Sequence, residues 1–169
     1  MKKNLTTSFI ILLMITAFLS TASGEDLPWH ASGKGGIVAS GAGAATSAGL
    51  EMLRQGGNAV DAAVATIFNL AVSDYGLFCI GGEVPFMFYD SKTREVIVFK
   101  GMGGAPMDPK AIEWYYSNGI PSTGIRSATV PSAVSTLLAA LELKGTMTFA
   151  RVIGPTLVLL DKGGKSYYI

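Results

Sequence analysis

The stretch Gly56-Gly57-Asn58-Ala59-Val60-Asp61-Ala62-Ala63-Val64-Ala65 leaves the chain few options: one helix stops, the chain turns, and a second helix starts. Gly56 and Gly57 suit the left-handed conformation that closes a helix, and Asn58 is a strong cap for the free amides of the next one. Asp61 falls in the first turn, where a negative charge complements the helix dipole. From Ala62 to Val72 only Thr66 and Asn69 are polar, so the second helix has almost no face for water. Ala62, Ala63 and Ala65 predict close approach by neighbouring elements.

With 169 residues, 49% hydrophobic and 15% charged, the chain supports one domain with a core of its own. A net charge of +1 without a Lys or Arg cluster gives no electrostatic argument for nucleic acid. Lys2 and Lys3, the apolar run Phe9 to Leu19 and the small residues Ser20 to Gly24 predict a signal peptide over residues 1–24. The run is shorter than the ~20 apolar residues of a membrane-spanning helix, although an uncleaved anchor is the alternative. Residues 25–169 are then the mature chain, secreted or periplasmic, with no stable membrane insertion once the signal is removed. Cys79 is the only cysteine, so no internal disulfide forms, and a buried thiol is its expected role. His30 is the only histidine, which argues against a thiol nucleophile with a base partner, a Ser-His-Asp triad built elsewhere, and a His-rich metal site. No cofactor is expected either. The glycine pattern Gly41-x-Gly43 continues to Thr46 in place of a third glycine, and Asp61 lies within a helix, so a dinucleotide fingerprint fails twice.

Taken in order, Gly35 to Ser40 reads as a short strand, and Gly41-Ala42-Gly43 leads into a helix with Ala45, Ala48, Gly49, Met52 and Leu53 inward and Glu51, Arg54 and Gln55 outward. Val84 to Tyr89 and Glu95 to Phe99, joined by Asp90 to Arg94, predict a β-hairpin. Gly101 to Pro106 is a loop. Asp108, Pro109 and Gly119 punctuate the next helix as cap, first residue and stop. Trp114, Tyr115 and Tyr116 serve packing, because the basic residues of a stacking platform are missing. A loop follows to Thr129. Val130-Pro131 then opens a helix with the stripe Ala133, Val134, Leu137, Leu138, Leu141 and Glu142, stopped by Gly145. Thr148 caps a last helix, interrupted at Pro155 and ended near Gly163-Gly164.

The corner and its surroundings resemble the gamma-glutamyltransferase (gamma-glutamyltranspeptidase) family of N-terminal-nucleophile hydrolases. The residues that carry the resemblance are Gly35 to Ala39, Ala48 to Ala65, Ile80-Gly81-Gly82, Tyr89-Asp90, Ala105-Pro106, Val130-Pro131, Gly145-Thr146, Ala150 and Pro155. The resemblance implies an α/β (α+β) chain forming part of an αββα sandwich, namely the first portion of the large subunit. It also implies, as partners, a γ-glutamyl or related amide such as glutathione and a small-subunit half. In the family the small subunit brings a threonine whose own α-amine serves as base. No residue here corresponds to that threonine, so no catalytic residue is assigned, and the chain alone is expected to be inactive. Lys165 to Ile169 depart from the family pattern, as a truncated gene product would.

Two departures bear on substrate binding. Where the family has an arginine that clamps the donor carboxylate, alignment on Ala105-Pro106 places Met102, which offers neither charge nor donor. Glu83 stands within a glycine run, as a binding residue or a solvated turn residue. Arg126 either replaces the missing clamp or is a solvated loop arginine. These changes suggest a divergent branch with an altered donor. The alternative to a portion of an exported acyltransferase is a catalytically dead stand-alone domain that binds an amino-acid-like ligand or a partner chain.

Overall fold

The computed structural model describes residues 30–163. The predicted signal segment, residues 1–24, lies outside the described residues. From residue 35 onward the order is α1 (Gly43–Arg54), α2 (Ala59–Ser73), β1 (Phe86–Asp90), β2 (Glu95–Phe99), α3 (Pro109–Asn118), a single 3₁₀ turn (Ile125–Ser127), α4 (Ala133–Lys144) and α5 (Phe149–Lys162). Helix α2 is the central element: α1, α4 and α5 all pack on it, and β1 packs on α4. Val60, Ala62, Val64, Ala65 and Phe68 of α2 join Met52, Leu137, Ala140, Leu141 and Val152 in the core.

The corner forms as the sequence predicts, with one refinement. The Gly57 amide donates to the Met52 carbonyl (2.9 Å) and the Gly56 amide to Leu53 (3.1 Å), the paired bonds of a Schellman ending. Only Gly56 is left-handed (φ 86°). Gly57 is needed for room, since a Cβ there would lie 2.9 Å from the Met52 carbonyl oxygen and from the Met147 methyl. Gly49 does the same between helices: a Cβ there would press on Thr66, Val38 and the Ala62 carbonyl. Leading into α1, the single hydroxyl proton of Ser40 goes to the Ala42 carbonyl (3.0 Å), so Thr46 is the donor in the 2.7 Å Ser40–Thr46 contact.

The hairpin is antiparallel, with Phe86 opposite Phe99, Met87 opposite Val98 and Tyr89 opposite Val96. Strand β1 starts two residues later than predicted because Pro85 has no amide to donate; the Val84 amide still reaches the Gly101 carbonyl at 2.9 Å. The inward face is an aromatic cluster of Phe86, Phe88 and Phe99. The outward face carries Met87, Tyr89, Val96 and Val98, each 60% exposed or more.

Four further predictions are corrected. The strand predicted over Gly35 to Ser40 is not formed: these residues pair with no strand among the described residues. Helix α4 begins at Ala133, and its buried side is Ala133, Thr136, Leu137, Ala140 and Leu141, which leaves Val134 and Leu138 more than a third exposed. Thr148 makes no side-chain cap bond, and α5 runs unbroken through Pro155. The proline removes one intrahelical donor, but buried Val152 and Thr156 on either side hold the helix against α2. Cys79 is exposed, not buried, because its carbonyl accepts from Gly82 in a surface turn (3.0 Å).

Candidate functional site

Three loops, 79–84, 100–104 and 130–133, meet at the start of α4. The first amides of a helix have no acceptor within it. Here the Gly82 carbonyl supplies one, accepting from Ser132 (3.1 Å) and Ala133 (3.0 Å). That frees the Ser132 hydroxyl, which makes no cap bond and donates instead to the Gly101 carbonyl at 2.6 Å. The Val84 amide donates to the same carbonyl. Gly101 is left-handed (φ 59°), and a Cβ on it would collide with the Val84 carbonyl. A Cβ on Gly103 would collide with the carbonyl of Val130. Both glycines are therefore required by sterics, and Gly101 by its left-handed φ as well.

Glu83 and the loop that carries Met102 meet at this junction. The Gly103 amide donates to Glu83 Oε1 at 3.0 Å, tying the glycine-rich loops together across the carboxylate. Glu83 is half-buried. It forms no ion pair among the described residues, where Lys144–Asp90 (3.0 Å) is the ion pair present. Met102, between the two constrained glycines, is 47% exposed.

Arg126 is held elsewhere. Its guanidinium lies 4.1 Å from the centre of the Trp114 ring, and its carbonyl accepts from the Tyr115 hydroxyl at 2.7 Å. It is exposed, and no hydrogen bond or ion pair joins it to Met102 or its loop among the described residues. His30 and Cys79 are both exposed. Among the described residues, no group of three or more His, Cys, Asp or Glu side chains comes together to hold a metal.

The corner contains a second polar cluster. Asp61 is fully buried. It accepts from the Asn58 amide (2.8 Å) in a capping box, and from the Thr146 hydroxyl (2.6 Å), the Thr146 amide (2.9 Å) and the Met147 amide (3.1 Å) in the turn between α4 and α5. Burial raises its pKa, but the bonds from Thr146, Asn58 and Met147 outweigh burial and hold the carboxyl below its ordinary value. Asn58 adds a bond from Nδ2 to the Lys144 carbonyl (2.7 Å). Both residues are caps, as the sequence suggests, and also bridges that sequence spacing does not reveal. Gly145 makes room for this bridge, since a Cβ there would lie 2.9 Å from Asp61 Oδ1.

Clefts flank α2. One of ≈ 730 Å³ lies between residues 35–40 and the helix, and one of ≈ 1120 Å³ lies between the hairpin, α2 and the turn after α4. Neither is lined by Met102, Glu83 or Arg126. The glycine collisions and converging bonds at the three-loop junction are more specific than either apolar cleft, so the junction is the candidate site. Ser132 is the residue there that sequence reasoning missed. Its signal, a serine immediately before an apolar helix, was hidden by placing the helix start at Pro131.

The family model described as Gamma-glutamyltranspeptidase matches residues 45–166. The chain is 35% identical over 137 residues to the glutathione hydrolase proenzyme of Bacillus subtilis, covering 78% of this chain and 23% of that protein. It is 31% identical over 147 residues to the acylase ACY 1 proenzyme of a Pseudomonas strain, covering 79% and 26% respectively. The crystal structure of Helicobacter pylori gamma-glutamyltranspeptidase superposes with a TM-score of 0.69 and 27% identity, covering 80% of this chain and 40% of that one. The chain therefore spans about a quarter of the length of these curated relatives. The match extends from α1 through α5 and takes in the corner and the three-loop junction together; the chain belongs to the gamma-glutamyltranspeptidase family, as the N-terminal part of its large subunit with a partial N-terminal-nucleophile hydrolase fold.

Proposed function

We propose that this chain is the first portion of an exported acyltransferase that transfers or hydrolyses a γ-glutamyl or related acyl amide, and that the loop carrying Met102 forms one wall of its donor site. The observation that carries the reading is the construction of that loop. Two sterically obligatory glycines, a serine and a carboxylate fix its backbone while leaving the Met102 side chain half in solvent. A rigid loop presenting one side chain is what positioning a substrate requires. The names of the relatives, a glutathione hydrolase and an acylase, fit this substrate class and span more than one donor. Met102 in place of a charged clamp fits a divergent donor preference.

The nucleophile, in this reading, is a threonine from a segment outside this chain. Neither Cys79 nor His30 can replace it, as each is an isolated residue of its type. A secreted or periplasmic location rests on the signal-like residues 1–24; among the described residues no helix is long and apolar enough to cross a membrane. The purified chain is assayed with a chromogenic γ-glutamyl anilide, and the DNA downstream of its reading frame is translated in all frames. The proposal expects no turnover by the chain alone and a threonine-led small subunit downstream. Turnover by the chain itself refutes the assignment of the nucleophile. Unrelated downstream sequence refutes the acyltransferase reading in favour of a stand-alone binding domain.

A further inference from the structure

We infer that the three-loop junction selects its ligand by charge: Glu83 excludes a carboxylate and favours a neutral or cationic acyl group. This rests on the proposal that the Met102 loop faces the donor. One oxygen of Glu83 accepts from the Gly103 amide, and neither oxygen has a cation as partner among the described residues. No Lys or Arg among the described residues is ion-paired with it. Arg126 is stacked on Trp114, Lys144 is paired with Asp90, and Lys100 is exposed and unpaired. The Gly103 amide, a donor that could receive an anion, is already committed to Glu83. Met102 offers no donor at all. An acyl group entering the junction removes water from one side of a half-buried carboxylate, which strengthens every charge interaction there. A second carboxylate then meets a like charge that has no ion-pair partner among the described residues, while an ammonium supplies a counter-charge and a charge-assisted hydrogen bond.

The test uses the chain labelled with ¹³C at the methionine methyls, with the Met102 resonance assigned through Met102→Leu. Three amides on one propanamide skeleton serve as probes: propanamide, β-alaninamide (cationic) and succinamate (anionic). Titration of the Met102 methyl should show succinamate binding at least about tenfold more weakly than β-alaninamide, a difference of about 1.4 kcal/mol. Glu83→Gln should reduce that ratio to near one. Its side-chain carbonyl still accepts from Gly103, so slow exchange of the Gly103 amide should persist in Glu83→Gln and be lost in Glu83→Ala. Independently of any variant, raising the salt to 1 M should shrink the ratio in the wild type, because screening acts on charge and not on shape. Equal binding of the anionic and cationic probes overturns the inference, as does a ratio that neither Glu83→Gln nor salt reduces. If no probe moves the Met102 methyl, the donor-site reading fails first and takes the inference with it.

Discussion

Removing the Asp61 carboxylate should cost more stability than any other single polar substitution in the described fold. Asp61→Ala leaves the Asn58 amide, the Thr146 amide, the Thr146 hydroxyl and the Met147 amide without their acceptor. A hydrogen bond to a charged group contributes roughly 1.5–3 kcal/mol, and a buried donor left unpaired loses its desolvation energy as well. The Thr146 hydroxyl can rotate to another partner and water can enter the emptied volume, so the sum is held to about 3–5 kcal/mol. Asp61→Asn keeps one oxygen as acceptor but turns an NH₂ toward the remaining donors, and should cost about 2 kcal/mol. Urea unfolding followed by far-UV circular dichroism at pH 7 gives both values. The pH dependence supplies a second check. The folded-state pKa of Asp61 lies below its unfolded value, so its contribution is fully present above the unfolded pKa of about 3.9 and is lost as pH falls through the folded pKa. The gap between wild type and Asp61→Asn should therefore be constant from neutral pH to about 5 and narrow below about 4. Asp90 is lowered too, by its hydrogen bond from Lys144, but it is present in both proteins and cancels in the difference. An Asp61→Ala protein within 1 kcal/mol of wild type, or a gap that widens on acidification, would refute the bridge.

Trp114→Ala should free the Arg126 guanidinium and speed exchange of the amides of residues 124–128, with a loss of about 0.5–1 kcal/mol for an exposed cation–π contact; unchanged exchange would show the stack to be incidental. The outer face of the hairpin should make the chain self-associate in isolation. Met87→Lys with Val98→Glu, opposite one another in the register, should shift it toward monomer in size-exclusion chromatography, and a wild type already monomeric at high concentration would count against the exposed face as a docking surface. Met102→Arg places a cation beside Glu83 and should bring succinamate binding up by about tenfold, read from the Gly103 amide resonance; no gain would mean that the side chain points away from the ligand.

The corner was legible because its signals are local. A left-handed glycine, a capping asparagine and a helix with two polar residues in eleven each act within a turn or two of their position. The hairpin and α3 were legible for the same reason, down to Asp108 donating nothing and accepting from Lys110. What sequence could not supply was long-range. Nothing near Asp61 announces that Thr146 and Met147 will close over it, and nothing near Ser132 announces Gly101. The strand over Gly35 to Ser40 is predicted from a short apolar run, whereas a strand needs a neighbour and none among the described residues pairs with it. Pro155 misled because propensity counts the lost bond without the packing of Val152 and Thr156 that outweighs it. At the site, the sequence marked Glu83 and Met102 by their departure from a pattern, but the bond from the Gly103 amide to Glu83 depended on the loops.

Helix α4 connects the two polar clusters. At its first residues, Ser132 and Ala133 hold the Gly82 carbonyl and Ser132 holds Gly101. At its last, the Lys144 carbonyl accepts from Asn58 and the Lys144 ammonium pairs with Asp90 on the hairpin. The 12 residues between span about 18 Å at 1.5 Å per residue, and their buried side seats the helix on α2. The same helix is therefore located from both ends. A helix fixed in this way cannot slide along its axis without breaking bonds at both clusters. The consequence for function is that the Met102 loop is positioned by the corner as well as by its own neighbours: Asp61 and Asn58 anchor one end of α4, and Gly82, Gly101 and through them Glu83 take their places from the other. In the reading proposed above, donor choice resides in the junction at one end of this frame, where Glu83 is tied through the Gly103 amide to the loop that carries Met102.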